Sequence, residues 1–219
     1  MWKNYFKIAY RGMLRDQGYS FINIFGLSVG VTCCLLLALY IHDETTYDKH
    51  HEDASQLYRV TSIMGNNFDN KVMRTTSAPI VWGIKDEIPE IEMVTRYVSP
   101  PGVSQNLIRY NDNQFYEPDG HIADSTFFKI FKFDFKEGNP ATALVEANSA
   151  VINEMLAVKL FGDNPALNKI IQIDQGGIEQ DFRVTGVLSK DQENSHLDGK
   201  FYVSMQSSGW AEYLRSLPL

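Results

Sequence analysis

The hydrophobic and polar positions of the chain change rhythm twice before settling into the mixed pattern of a folded domain. At the start, Lys3, Lys7, Arg11 and Arg15 recur at steps of four, while Trp2, Tyr5, Phe6, Ala9, Tyr10, Met13 and Leu14 fill much of the remaining circumference. A helix with that spacing is amphipathic and lies in a membrane interface, its bases toward anionic headgroups and its aromatics at the acyl boundary. Asp16, Gln17 and Gly18 interrupt the pattern, and Ser20 is placed to cap a second helix. The stretch Phe21 to Ile41 then carries no charged residue. Coiled at ~1.5 Å per residue it reaches roughly 31 Å, the thickness of a hydrocarbon core, and reads as a membrane span.

Within that span Asn23, Gly26, Gly30 and Cys33 or Cys34 fall on one face at steps of three and four. Small residues let a neighbouring helix approach closely, and the Asn23 amide can bond across such a contact, so this face is expected to meet another membrane helix. A cleavable signal peptide is the competing reading of a basic-then-apolar N-terminus. It fits less well, because the apolar run exceeds the usual signal core, no small-residue cleavage site follows, and Tyr40, Ile41, His42 and Asp43 make a bulky, charged exit.

After the span the rhythm shortens. The segment following Ile41 is acidic and predicts a helix in its first half, then a strand at about Gln56 to Met64, a loop at GNNFDN and a return strand at Val72 to Thr76. Pro79 suits the first turn of a helix to Glu87, which Pro89 stops, and Ile91 through Tyr97 reads as a strand. That succession predicts an α/β lobe. Ser99 to Gly102 (SPPG) marks a lobe boundary. Beyond it come short strands at Asn106 to Tyr110, Gln114 to Tyr116 and His121 to Asp124, then a helix FFKIF capped by Ser125. Phe133 and Phe135 alternate as a strand before a turn at KEGNP. A strand at Ala150 to Ile152 precedes an amphipathic helix from Glu154 to Phe161, ended by Gly162. Lys169 to Ile173 and Asp181 to Leu188 make a hairpin around Gln175, Gly176 and Gly177, and a last strand runs from Lys200 to Val203. No internal repeat is evident.

Charge and cysteine content sharpen the topology. Residues 1–20 carry a net +3 and residues 42–219 a net −10. Lys and Arg flanking a span stay in the cytoplasm, so the N-terminus is expected inside and residues 42–219 outside. The 178 residues after Ile41 suffice for one sizeable core or two small lobes. An acidic exported domain is a poor nucleic-acid binder, and no nucleic-acid partner is expected. The two cysteines, Cys33 and Cys34, both lie in the span, so the exported part folds by burial and not by disulfides.

The sequence carries no catalytic constellation. Of the histidines His42, His50, His51, His121 and His196, only HDETT at His42 approaches a metalloprotease pattern, and it lacks the second His. His50, His51 and Glu52, like Asp43, Glu44 and Asp48, read as a solvated juxtamembrane segment. No nucleophile elbow or phosphate-binding glycine loop occurs after the span. No catalytic residue, metal or cofactor is therefore assigned.

Several ordered stretches together resemble a family. FKIAYRGMLRDQGYSFINIFGLSVG, DETTYDKHHEDASQLYRV, DSTFFKIFKFDFKEGNPATAL, INEMLAVKLFGDNPALNKIIQI, FRVTGVLSK and NSH are similar to the N-terminal part of ABC transporter permeases of the MacB/FtsX type, over essentially all of Phe6 to Val203. The resemblance implies an α+β protein: one N-terminal transmembrane helix followed by a two-lobed periplasmic core domain, one lobe porter-like α/β and the other mainly β. It divides the chain into an interfacial helix (1–20), a span (21–41) and a periplasmic core (42–219). It also implies a permease homodimer or heterodimer in the inner membrane, working with a cytoplasmic ATPase and contacting lipid, and mechanical action without catalytic residues. Family members continue into further spans, so the resemblance implies the N-terminal part of a longer permease. A single-pass anchored adaptor that works without an ATPase is the alternative.

Overall fold

The computed structural model describes residues 2–46, 56–66, 69–73, 75–189, 197 and 199–217. The chain divides into two compact units, Met1–Tyr47 and Asp48–Leu219.

The first unit is two helices, α1 (Trp2–Arg15) and α2 (Gln17–Thr46). The interruption expected over three residues is confined to Asp16. Its N–H donates to the Gly12 carbonyl at 3.1 Å, closing α1, and its own carbonyl accepts from the Ser20 N–H at 3.0 Å, opening α2, so one residue ends the first helix and starts the second. Ser20 is therefore inside α2 and not its cap. Residues 17–44 of α2 are long and apolar enough to cross a membrane by length and composition. Among the described residues its leucines and aromatics stand exposed. Hydrocarbon side chains in that number need a non-aqueous surrounding.

In the second unit, β1 (Ser62–Asn66) and β2 (Asp69–Met73) form an antiparallel hairpin of their own. The register pairs Asn66 with Asp69, so the two strands extend well into the GNNFDN stretch expected as loop. The first strand starts later than Gln56, and the second ends earlier than Thr76. Of the expected juxtamembrane helix, the part to Thr46 belongs to α2, and residues 47–55 lie outside the described residues. The helix α3 (Ile80–Glu87) starts after Pro79 as predicted.

The remaining strands make one nine-stranded sheet: β3 (Tyr97–Val98), β4 (Asn106–Tyr110), β5 (Asn113–Glu117), β6 (Gly120–Ala123), β7 (Phe135–Gly138), β8 (Ser149–Asn153), β9 (Ile170–Asp174), β10 (Glu179–Leu188) and β11 (Phe201–Ser204). Their order is β3-β6-β11-β8-β10-β9-β4-β5, with β7 also on β10. β10 pairs in parallel with β8, across the helix α5 (Glu154–Phe161), and antiparallel with β9 and β7. Strands on both sides of Ser99–Gly102 belong to this one sheet, so SPPG is a connection within it and not a boundary between sheets.

Side chains alternate between two cores. Ala150, Ile152, Phe201 and Val203 pack on one face with α5 and α6 (Trp210–Ser216), while Val151 and Tyr202 pack on the other with Phe127, Phe128, Phe133 and Leu144. β6, β8 and β11 are thus covered on both faces, which is why almost every residue in them is buried. β10 records the change of cover along its own length. From Glu179 to Val184 exposed and buried positions largely alternate, whereas Gly186, Val187 and Leu188 are all buried. Two glycines keep the sheet this tight: a Cβ on Gly120 would lie 2.1 Å from the Phe201 ring, and one on Gly138, at φ +94°, would lie 2.4 Å from the Thr185 carbonyl oxygen.

Several boundaries differ from those expected. The FFKIF helix, α4 (Phe127–Ile130), has Thr126 at its N-cap and not Ser125, and the Thr126 hydroxyl donates to the Val94 carbonyl at 2.6 Å instead of capping. Phe133 is a core residue outside any strand, and β7 continues through Lys136–Gly138, so the turn at KEGNP begins only after Gly138. Residues 91–96, expected as strand, are irregular because Arg96 is committed elsewhere. It is 6% exposed and clasps Asp124: Nη2 donates to Oδ1 at 2.7 Å, and Nε and the backbone N–H donate to Oδ2 at 2.9 and 2.8 Å. The guanidinium also stands 5.2 Å over the Trp82 ring, joining α3 to the sheet.

Removing one member of such a pair leaves a buried charge uncompensated, whereas replacing both by apolar groups does not. Asp124→Ala is expected to lower the unfolding free energy by about 3–5 kcal/mol. Arg96→Met/Asp124→Leu should recover most of that loss. Urea unfolding of the detergent-solubilised chain, followed by tryptophan fluorescence, checks both.

Candidate functional site

The residues singled out from the sequence lie on α1 and α2. At 100° per residue, Lys3, Lys7, Arg11 and Arg15 occupy about 120° of α1, with Leu14 between Lys3 and Lys7; Tyr5, Ala9, Trp2, Met13 and Phe6 lie on the opposite side, and Tyr10 at the edge beside Lys3. No acidic residue falls between Trp2 and Arg15. All these side chains are exposed, Trp2 at 90%. The helix therefore offers one basic and one aromatic face, neither used within its unit.

On α2, Asn23, Gly26, Gly30, Cys33 and Cys34 fall within about 100° of arc. A Cβ on Gly26 or Gly30 would meet no atom within 4 Å, so the shallow stripe is open. Polar groups elsewhere on the helix are satisfied locally. The Ser28 hydroxyl donates to the Ile24 carbonyl at 2.7 Å and that of Thr32 to the Ser28 carbonyl at 2.8 Å. Asn23 makes no such bond among the described residues. It brings an unsatisfied amide to the small-residue stripe, where a neighbouring helix or the interfacial water must bond it.

In the sheet domain the structure assembles a cluster that sequence spacing does not reveal. His121 on β6 is buried against Tyr97 and Tyr202, with ring centroids 4.4 and 5.9 Å away. Its Nδ1 lies 3.0 Å from the Ser99 hydroxyl. Tyr202 in turn donates to the Leu197 carbonyl and accepts from the Gly199 N–H at 2.8 Å. Burial pushes the imidazole down to about 4, and the nearby Asp119 offsets this only in part. At neutral pH the imidazole is neutral, and its contact with the Ser99 hydroxyl joins β6 to the turn after β3. The only sequence signal for the cluster is that His121 falls in a strand whose other residues are apolar or small.

Two further features test for other chemistry. A cleft of about 470 Å³ opens beside Tyr110 and Lys169. The two amides at its wall are already committed, Asn113 Nδ2 to the Leu160 carbonyl at 3.2 Å and Asn164 Nδ2 to the Phe161 carbonyl at 3.0 Å, which closes the C-terminal turn of α5. Among the described residues no group of three or more His, Cys, Asp or Glu side chains is arranged to hold a metal. His50, His51, Glu52, Asp48 and His196 lie outside the described residues.

Comparison with known proteins now has a fold to meet. The family of MacB-like periplasmic core domains matches residues 20–217, which takes in the apolar helix and nearly all of the sheet domain. The chain belongs to that family. Among solved structures, a domain assigned to a permease of Porphyromonas gingivalis aligns with a TM-score of 0.53 and 20% identity, over 69% of this chain and 61% of that one. The extracellular domain of the ABC-type transporter YknZ from Gram-positive bacteria gives 0.43 and 23% identity, covering 59% of this chain and 62% of that one. The periplasmic region of MacB from Actinobacillus actinomycetemcomitans gives 0.45 and 18%, covering 67% of this chain and 64% of that one. The chain thus spans less than two thirds of each. No curated protein sequence matches it at a significant level. The MacB-like domain is a mixed α+β, sheet-rich domain that follows one apolar N-terminal helix.

The depressed His121 pKa has a stability consequence with a definite sign. The folded pKa of about 4 lies below the ordinary 6.5, so between those values the unfolded chain binds the extra proton. The contribution of a neutral, buried His121 is complete above pH 6.5 and is lost as the pH falls from there toward 4. It amounts to about 3 kcal/mol. In His121→Gln the fall in unfolding free energy between pH 7 and pH 4.5 should shrink by most of that amount, measured by urea unfolding at each pH.

Proposed function

We infer that this MacB-like chain is the first-span and periplasmic part of an ABC transporter permease that couples ATP hydrolysis by a cytoplasmic partner to movement of its periplasmic domain. The observation that carries this reading is the family match, which runs without a break from the apolar helix through the sheet domain. The domain organisation follows from it: an interfacial helix at 1–20, a span at 21–41 and a two-lobed periplasmic core at 42–219.

The N-terminus is placed in the cytoplasm and the membrane is the inner membrane. The support is the basic residues before the span and the acidic domain after it. The permease acts by transmitting displacement, not by bond chemistry. Asn23, Gly26 and Gly30 form the face on which another permease helix packs, from the same assembly or from a second permease copy.

Two measurements test this. Tyr58 is 89% exposed beyond the span, so a Tyr58→Cys reporter in a Cys33→Ala/Cys34→Ala background should react with a membrane-impermeant maleimide from the periplasmic side. Reaction only from the cytoplasmic side would reverse the topology. Co-purification from the native host should return an ATP-binding subunit. Gly26→Leu/Gly30→Leu should weaken that assembly about tenfold or more by filling the stripe with side chains; unchanged assembly would reduce α2 to a plain anchor.

A further inference from the structure

The cleft of about 470 Å³ between the β4–β5 turn, the end of α5 and the start of β9 holds polar groups that the fold does not use. Asn113 and Asn164 reach the Leu160 and Phe161 carbonyls through Nδ2. A carbonyl only accepts, so the NH₂ end of each amide is fixed against the end of α5 and Oδ1 is the end left over. Neither Oδ1, nor the Tyr110 hydroxyl, nor the Lys169 ammonium has a partner among the described residues. Leu160 and Phe161 supply the apolar lining, with the Tyr110 ring edge-on to Phe161 at 4.6 Å. The volume is that of a small-molecule site.

These groups select among ligand classes. A carboxylate or phosphate would suit Lys169, but it would face two amide oxygens and the C-terminal end of α5, which carries partial negative charge. An ammonium ligand would suit the oxygens and be repelled by Lys169. A plain hydrocarbon would strip the polar groups of water and give them nothing in return. A neutral ligand with several hydroxyls meets every requirement, because a hydroxyl both donates, to an Asn Oδ1, and accepts, from Lys169. A pyranose ring adds an apolar C–H face to cover the Tyr110 ring. We propose that this cleft binds a neutral saccharide, with Asn113 and Asn164 Oδ1 accepting from its hydroxyls, Lys169 donating to them, and Tyr110 against its C–H face. The two amides are oriented before the ligand arrives, since the bonds that close the end of α5 also hold them. The site lies wholly within the sheet domain and does not depend on the permease reading.

The test uses the whole chain in phosphatidylcholine nanodiscs, which carry no sugar headgroup, and reads saturation-transfer difference NMR on glucose and cellobiose. Transfer to the ring C–H protons is expected. Lys169→Met should raise the Kd by about tenfold or more and leave the thermal unfolding midpoint unchanged, because Lys169 is exposed and its side chain holds no part of the fold. Asn164→Leu should weaken binding by a similar factor. Both sources of this chemistry, a free sugar and the end of a glycan chain, support the proposal: cellobiose binding about tenfold more tightly than glucose marks the chain end, and equal binding the free sugar. Displacement of the sugar by sodium acetate, inorganic phosphate or ethylammonium would make the cleft a site for charge and overturn the proposal. Binding that survives Lys169→Met unchanged would put the sugar elsewhere and overturn it too, as would the lack of any transfer to either sugar at millimolar concentration.

Discussion

Tyr202 stands where the sheet domain is most tightly constrained. It lies in a strand covered on both faces, with the Phe127, Phe128 and Phe133 rings 5.3 to 5.9 Å from its own. A fully buried tyrosine must satisfy its hydroxyl, and this one does so between the Leu197 carbonyl and the Gly199 N–H. Leu197 and Gly199, just before β11, are thereby tied to the core. The same ring borders His121, whose burial leaves it neutral, and His121 reaches Ser99 in the SPPG turn. One aromatic cluster thus fixes the helix α4, the start of β11 and the turn after β3. Loss of neutrality at His121 would introduce a charge into the middle of it.

Parts of this were legible in the sequence because the signals were local. Asn153 accepts from the Leu156 N–H at 2.9 Å and Gly162 follows the last helical residue at positive φ, so α5 begins and ends where a capping residue and a glycine say it should. The hairpin of β9 and β10 announced itself through Gln175, Gly176 and Gly177. The parallel pairing of β8 with β10 and of β6 with β11 has no such signature, since strands brought together over that distance are chosen by the core and not by a turn. Residues 91–96 misled for a related reason: apolar residues alternate there as in a strand, but the Arg96 clasp on Asp124 takes both the side chain and the backbone N–H out of any ladder. Thr126 and Ser125 are chemically equivalent as caps, and the choice fell to a carbonyl on a distant segment.

The candidate site was readable to a different degree. The bases of α1 and the stripe on α2 are periodic patterns, and a helix converts period directly into a face. What a period does not say is whether a polar group on that face is already satisfied. Ser28 and Thr32 look as demanding as Asn23 in the sequence, yet their hydroxyls reach back to carbonyls four residues earlier and ask nothing of a neighbour. The Asn23 side chain is unbonded among the described residues, and this singles it out. His121 is the converse case: a residue that sequence treats as ordinary becomes distinctive only when Tyr97, Ser99 and Tyr202, from three different segments, close around it.

The displacement mechanism proposed above calls for stiff parts more than reactive ones, and the sheet domain has such parts among its described residues. The Arg96–Asp124 clasp with Trp82 ties α3 to the edge of the sheet through a charge pair that has only one good geometry. The double cover over β6, β8 and β11 resists shear because each strand would have to slide against two packed layers. The sheet beyond the alternating part of β10 has cover on one face only and is held on the other by exposed ion pairs such as Arg183–Glu146 and Arg109–Glu179, which contribute little to stability and rearrange at low cost. If the domain yields under load, the compliance therefore lies on the β9, β4 and β5 side, and the doubly covered half moves as one body.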